Sequence, residues 1–349
     1  MVHTTLSRLC DFCRTGSFDA LQWFELSTLT LERYWFGGCC CAFMVYRIRE
    51  DMIQSEKTMS LLMVFAMFTW ALAAIAAKTL SGYISENEIV VYRYFLAAVS
   101  MVPILLFMGL SFKIDWKNLA LALLIALFTI ANVRFYFMGV DLGTAGLGAA
   151  LVTVLIPMIV YLLMLFSKQE RPSIKDWVAL IWGAGGVLLM MNVTEFGIGE
   201  LLTGANLYFV MAAFFWALIS VSGAWMKGVH VLTFGFYVCL FTFSIDWFLS
   251  FDVPLSTLLD MDRYFWISIL TVSILSTTIA GTIYYVGLRV LGSKKCSTYS
   301  LLTPFFAIAM GALFFGESLT LQNAIGTLMA VSALFILQNI KIKGVMPYR

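Results

Sequence analysis

Histidine is nearly missing from this chain of 349 residues: only His3 and His230 occur. The commonest general base and metal ligand is therefore scarce, and neither an HExxH nor a GxSxG pattern is present. Charge is thin as well, at 12% Asp, Glu, Lys and Arg, against roughly a quarter in soluble domains. Without clusters of paired acids, bases or activated nucleophiles, the chain does not read as an enzyme. It also lacks a P-loop, so it is not expected to hydrolyse ATP. A net charge of +2 and a pI near 8.1 fall well short of the basic balance that a phosphate backbone demands, which removes nucleic acid as a partner. Seven cysteines are present, but Cys10, Cys13, Cys39, Cys40 and Cys41 crowd the first 51 residues, while Cys239 and Cys296 stand alone in apolar segments. No disulfide framework or metal spacing follows, and no metal or other cofactor is expected.

What the chain has in abundance is apolar residues: 61% hydrophobic, with a mean hydropathy of +0.92. Its runs reach the roughly 20 residues that a helix needs to cross hydrocarbon, without the alternation of barrel strands. From Ser60 onward, ten helical spans are expected, at about 60–82, 87–110, 118–139, 143–166, 175–192, 201–226, 230–250, 263–288, 294–315 and 320–340. The connections are short, so neighbouring helices should be mostly antiparallel, and no loop is long enough to hold a soluble domain. Residues 1–51 differ in kind. They lack periodicity, and the Tyr34 to Tyr46 patch is too short to span. The abrupt change of composition suggests a start at Met52 or Met59, with 1–59 an atypical segment that is untranslated or disordered.

Loop charges test the count independently, because Lys and Arg stay on the cytoplasmic side. Lys57, Lys113, Lys117, Lys168, Arg171, Lys175, Lys227, Arg289, Lys294, Lys295, Lys341, Lys343 and Arg349 all fall on one side of the ten-span scheme. The opposite loops hold Glu86, Glu88, Asp141, Glu195, Glu200, Asp252, Asp260 and Asp262, with Arg263 their one clear cation. Both termini, including the 341–349 tail, are expected in the cytoplasm.

The chain also repeats itself. Pro157 and Pro304 are each followed thirteen positions later by a glutamate, Glu170 and Glu317. Trp70-Ala71-Leu72 recurs as Trp216-Ala217-Leu218, and "FYFMGVDLGTAG" recurs as "IYYVGLRVLGSK". Small residues return at equal offsets, Ala179 with Gly326 and Gly186 with Ala333. Ten spans divided at 192–201 give five-helix repeats at 60–192 and 201–340, and an odd set reverses orientation when repeated. The fold class expected is thus an all-α polytopic membrane protein of two inverted five-helix repeats. Such repeats provide alternating access by rocking around a midplane site.

With "TWALAAIAAK", "VYRYFLAA" and above all "YYVGLRVLGSKKCSTYSLLTPFFAIAMGALFFGESLT", residues 60–340 resemble the EamA-type transporters of the drug/metabolite transporter superfamily. The first half departs from the pattern in having "QERP" around Glu170, without a preceding glycine. The resemblance implies a bacterial inner-membrane carrier, commonly an exporter of amino acids or related metabolites. It does not imply which metabolite.

Ionisable residues within spans are functional candidates by default. Lys78, Arg93 and Arg134 should share the outer third of the membrane, where one cavity would let them attract a carboxylate or phosphate. The alternative is that they snorkel and pair with Glu86, Glu88 or Asp141. Asp246 is the counterpart acid, open to binding an amine, carrying a proton or neutralising a cation. Glu317, at the membrane boundary, is a further charge or coupling candidate. Substrate-binding candidates besides Arg93 are Trp70, Asn132, Trp216, Tyr285 and Tyr299, joined by Ser220. Trp and Tyr among them offer a flat face with a polar handle.

The function expected is secondary-active transport of a small metabolite, with export favoured over import. The partners are that solute and the lipid bilayer, with a coupling proton or ion and a homodimer left open. An importer of a metabolite or nucleoside, and a non-transporting membrane sensor or scaffold, are the alternatives.

Overall fold

The structure, a computed structural model, describes residues 56–142, 145–166, 171–190, 204–250, 261–315 and 320–338. Glu170, Glu317, the tail 341–349 and the first 55 residues lie outside these. The helices are α1 (Glu56–Leu80), α2 (Glu86–Phe107), α3 (Trp116–Leu142), α4 (Ala145–Met164), α5 (Ile174–Met190), α6 (Gly204–Gly223) and α7 (Val231–Leu249). There follow α8 (Arg263–Val290), then α9, and finally α10 (Leu321–Leu337). Helix α9 opens as Gly292–Thr298, tightens to a 3-10 turn over Tyr299–Leu302 and continues as Thr303–Phe315. No strand occurs among the described residues.

Six of these helices, α1, α2, α3, α6, α7 and α8, are long and apolar enough to cross a membrane, and α4 and α10 contain shorter apolar stretches. Large apolar side chains also cover the outside of the bundle, among them Leu61, Phe107, Phe166 and Leu313. In water that surface would be penalised at about 25 cal/mol per Å². In lipid it is the solvent-compatible face.

Helix starts follow from local chemistry. Ser85 and Glu88 form a reciprocal capping box on α2, and Thr320 and Asn323 do the same for α10. Ser173 and Asp176 exchange equivalent bonds at the start of α5. Asp262 caps α8 through the Phe265 amide, which holds the carboxyl below its usual range. These side chains occupy amides that have no partner inside the helix. The histidine within the described residues does similar work: His230 Nδ1 accepts the Leu232 amide at 3.2 Å, capping α7.

Two helices depart from plain α geometry. Pro304 has no N–H for the Ser300 carbonyl, which instead accepts the Thr303 amide, and the turn ahead tightens accordingly. In α8, Thr271–Ala280 is a π-helix, a rare form frequent at functional sites. Between α8 and α9, Gly292 turns the chain at φ 80°, a conformation that costs other residues strain.

Short links do not make sequence neighbours into packing partners. Helix α1 packs chiefly on α8 and α9, α6 on α3 and α4, and α2 and α7 on each other. Helix α2 also meets α8, α7 also meets α3, and α5 lies along α10. Adding five to each number in the first half, and subtracting five in the second, returns the same set of pairs. The two halves are therefore interlocked about a pseudo-twofold relation, with α2 against α7 and α5 against α10 on its axis.

At the α5–α10 seam backbone meets backbone closely. A Cβ built on Gly186 would lie 2.6 Å from Met329 Cβ, 2.7 Å from the Gly326 carbonyl oxygen and 2.9 Å from the Ala330 nitrogen. One built on Gly183 would lie 2.7 Å from Ala333 Cβ. The small residues that recur along the sequence thus face one another across the axis. Close backbone approach is what drives helices together where lipid is as apolar as leucine.

Candidate functional site

Trp70 on α1 and Trp216 on α6 occupy equivalent places in the two halves and meet edge to face, with ring centroids 5.2 Å apart at 88°. Tyr284 on α8 joins both, at 5.3 Å from Trp70 and 6.0 Å from Trp216. Its hydroxyl lies 2.6 Å from Ser220 Oγ, and the Ser220 carbonyl accepts from Ser293 Oγ at 2.8 Å. The ring is thereby pinned. These aromatics wall a cavity of about 70 Å³ whose lining also includes Arg93, Ser276, Thr277, Cys239 and Tyr285.

The π-helical stretch of α8 supplies polar groups through three consecutive residues, of which Ser276 and Thr277 line this cavity. The Ser276 carbonyl accepts Trp70 Nε1–H at 3.2 Å. Thr277 Oγ1 accepts Arg93 Nε–H at 2.7 Å while donating its own proton to the Val272 carbonyl at 2.8 Å. Thr278 Oγ1 pairs with Ser100 Oγ at 2.9 Å. A hydroxyl that spends its proton on backbone presents only lone pairs to the guanidinium. The orientation of Arg93 is thus set by α8, with the Tyr94 ring 5.5 Å from its charge centre.

A second cavity, of about 540 Å³, lies among the first turns of α2, the later turns of α3 and Asp246 of α7. On its wall Arg134 Nη2 donates to Asp246 Oδ1 at 2.7 Å and Nε donates to the same oxygen at 3.2 Å. Lys78 lines neither cavity and is exposed near the end of α1. The three cations expected in one place are therefore divided. Among the described side chains Arg134 pairs with Asp246, because α3 lies along α7.

Trp70, Trp216, Arg93 and Tyr285 come together, but Asn132 and Tyr299 do not join them. Asn132 Nδ2 donates to the Ala212 carbonyl at 2.7 Å, tying α3 to α6. Tyr299 is buried in the 3-10 turn of α9. Asn132→Ala should therefore lower stability by about 1 kcal/mol, the net worth of one such bond, and leave solute affinity unchanged. A thermal melt and a binding isotherm on the same preparation check both halves of that expectation. Sequence reasoning passed over Ser276, Thr277, Cys239 and Tyr284. The run of hydroxyl residues at 276–278 inside an apolar span was the available signal.

Apolar helices around a small cavity that is aromatic on one side and polar on the other define a multi-pass membrane protein with an interior candidate site. The particular family follows from comparison: the EamA-like transporter family matches residues 57–192 and again 203–338, and the chain belongs to it. A solved structure described only as the crystal structure of a protein superposes with a TM-score of 0.68. It covers 81% of this chain and 96% of its own, at 17% identity, a likeness that speaks to the fold alone. Among curated proteins no match is found.

Proposed function

We propose that this chain is a secondary carrier of small metabolites, working by alternating access in the bacterial inner membrane, with both termini cytoplasmic. In this reading α1–α10 are ten membrane passes, the repeats at 60–192 and 201–340 are inverted, and export is the favoured direction. The preference for export rests on family membership.

One observation carries the reading. Trp70 and Trp216, repeat-equivalent residues, meet at the interface of the halves and wall a polar-edged cavity. A site placed where two inverted repeats meet can be exposed to either side by rocking one half against the other.

The test is flux. Proteoliposomes containing the purified protein, loaded with a mixture of labelled metabolites, should release some component without ATP. Trp216→Ala should slow that release about tenfold, the equivalent of one lost aromatic contact, while its melting profile stays sharp. If protein-containing and empty vesicles retain every component alike, the chain is a sensor or scaffold and the carrier reading is wrong.

A further inference from the structure

The central cavity carries a charge imbalance. Arg93 is half-buried in α2, and none of the ion pairs among the described residues includes it: those are Arg134–Asp246, Lys294–Asp176 and Lys295–Glu56. Only its Nε has a hydrogen-bond acceptor, the neutral Thr277 hydroxyl. Both Nη groups are without one among the described residues. Among the described residues no Asp or Glu lines this cavity, and Asp246, the acid within the neighbouring α7, is committed to Arg134.

A second, independent feature belongs to a residue that lines the same cavity. The Ser276 hydroxyl is buried, with the residue 1% exposed, and it has no hydrogen-bond partner. Its backbone carbonyl is occupied by Trp70, but its O–H is not. An unsatisfied hydroxyl and an unpaired guanidinium are each costly away from water. Both line one cavity of about 70 Å³.

We propose that these two groups form an anion subsite, and that the carrier's cargo is an organic monocarboxylate rather than a zwitterionic amino acid or an amine. The inference rests on the reading of the central cavity as the cargo site. A carboxylate has enough lone pairs to accept the two Nη groups as a fork and the Ser276 O–H as a third bond. Its single charge balances that of Arg93. An α-ammonium, by contrast, would stand within one residue's length of the guanidinium with no acid to offset it. The faces of Trp70 and Trp216 favour a flat apolar body behind the carboxylate. The cavity, at about 70 Å³, is well below the ~300 Å³ of a typical metabolite pocket, so a compact acid fits best.

The experiment compares three probes with one body: benzoate, benzylamine and phenylalanine, with butyrate as a smaller acid. Thermal melts of the detergent-purified full chain measure binding, since a ligand of the folded state raises the melting temperature saturably. Proteoliposome uptake of the same labelled probes measures flux. Benzoate or butyrate should shift the melt, benzylamine and phenylalanine should not, and Arg93→Gln should abolish the shift. Ser276→Ala provides a test that does not rely on Arg93 variants folding. Removing a buried unsatisfied hydroxyl should raise the ligand-free melting temperature while weakening benzoate about tenfold, opposite signs that a merely structural serine would not produce.

A response to benzylamine or phenylalanine that survives Arg93→Gln overturns the anion subsite and leaves the carrier reading standing. So does a folded wild-type protein that answers neither acid, or one that answers only laurate, which would mark a lipid source. Benzoate binding to a protein that moves neither the probes nor any component of the metabolite mixture does the reverse, supporting the subsite and defeating the carrier.

Discussion

Gly186→Leu is expected to leave no folded protein. The position lies on the α5–α10 seam, and its would-be Cβ meets backbone at 2.7 and 2.9 Å, in the Gly326 carbonyl and the Ala330 nitrogen. Backbone cannot rotate away as a side-chain tip can, so α10 would have to move outward as a body. Overpacking in a tight core costs about 1–3 kcal/mol even where side chains yield, and this site exceeds that range. Separation of the two helices would also uncover Val187 and Ala330, which lie buried together near Val154 and Leu301. The neighbouring position supplies the control. A Cβ on Gly185 finds only Met329 Cε, at 3.6 Å, the flexible end of a long side chain. Gly185→Ala should therefore stay within about 0.5 kcal/mol of wild type. Size-exclusion profiles in detergent separate the outcomes: aggregation for Gly186→Leu, a wild-type peak for Gly185→Ala. A monodisperse Gly186→Leu protein would show that the seam is looser than its distances imply.

The second large effect is an asymmetry within one ion pair. The Asp246 side chain is 3% exposed, whereas that of Arg134 is 37% exposed. Arg134→Ala strands a buried carboxylate, a change worth roughly 3–5 kcal/mol when a buried pair loses one partner. Asp246→Ala leaves a guanidinium that already reaches water, and the expected loss is only about 1 kcal/mol. The double variant should recover most of what Arg134→Ala loses, because no charge is then left stranded. Melting temperatures of the three variants and the wild type form the required cycle. Equal losses from the two single changes would mean that water reaches Asp246 as readily as it reaches Arg134.

Much of this architecture was legible in the sequence because lipid imposes a simple rule: a span must be long, apolar and internally hydrogen-bonded. The duplication was legible for a different reason, the nearly constant offsets between the tryptophan, proline and small-residue positions of the halves. Those offsets place Trp70 and Trp216 in equivalent roles, and the structure joins them. Side-by-side order was not legible. Uniformly apolar helices carry no mark of which neighbour they touch, and the partners of α1 lie more than 180 residues away in α8 and α9. The partner of Arg134 was hidden in the same way, 112 positions along the chain. The π-helical turn was hidden because "TVSILSTTIA" is composed like any other apolar span. Three of its residues nevertheless set the positions of Trp70, Arg93 and Ser100.

The interlocking of the halves bears on how the protein is made. Helices α1, α2 and α3 find their principal partners in α6, α7, α8 and α9, which are synthesised later. While the ribosome is still working through the second half, the first half sits in the bilayer with its inner faces turned to lipid. Arg93 then has no Thr277 to hold it, and Arg134 has no Asp246. Nascent chains stalled before α7 should consequently depend on membrane-resident chaperones, and their release from quality control should come abruptly, when α8 and α9 arrive, rather than helix by helix.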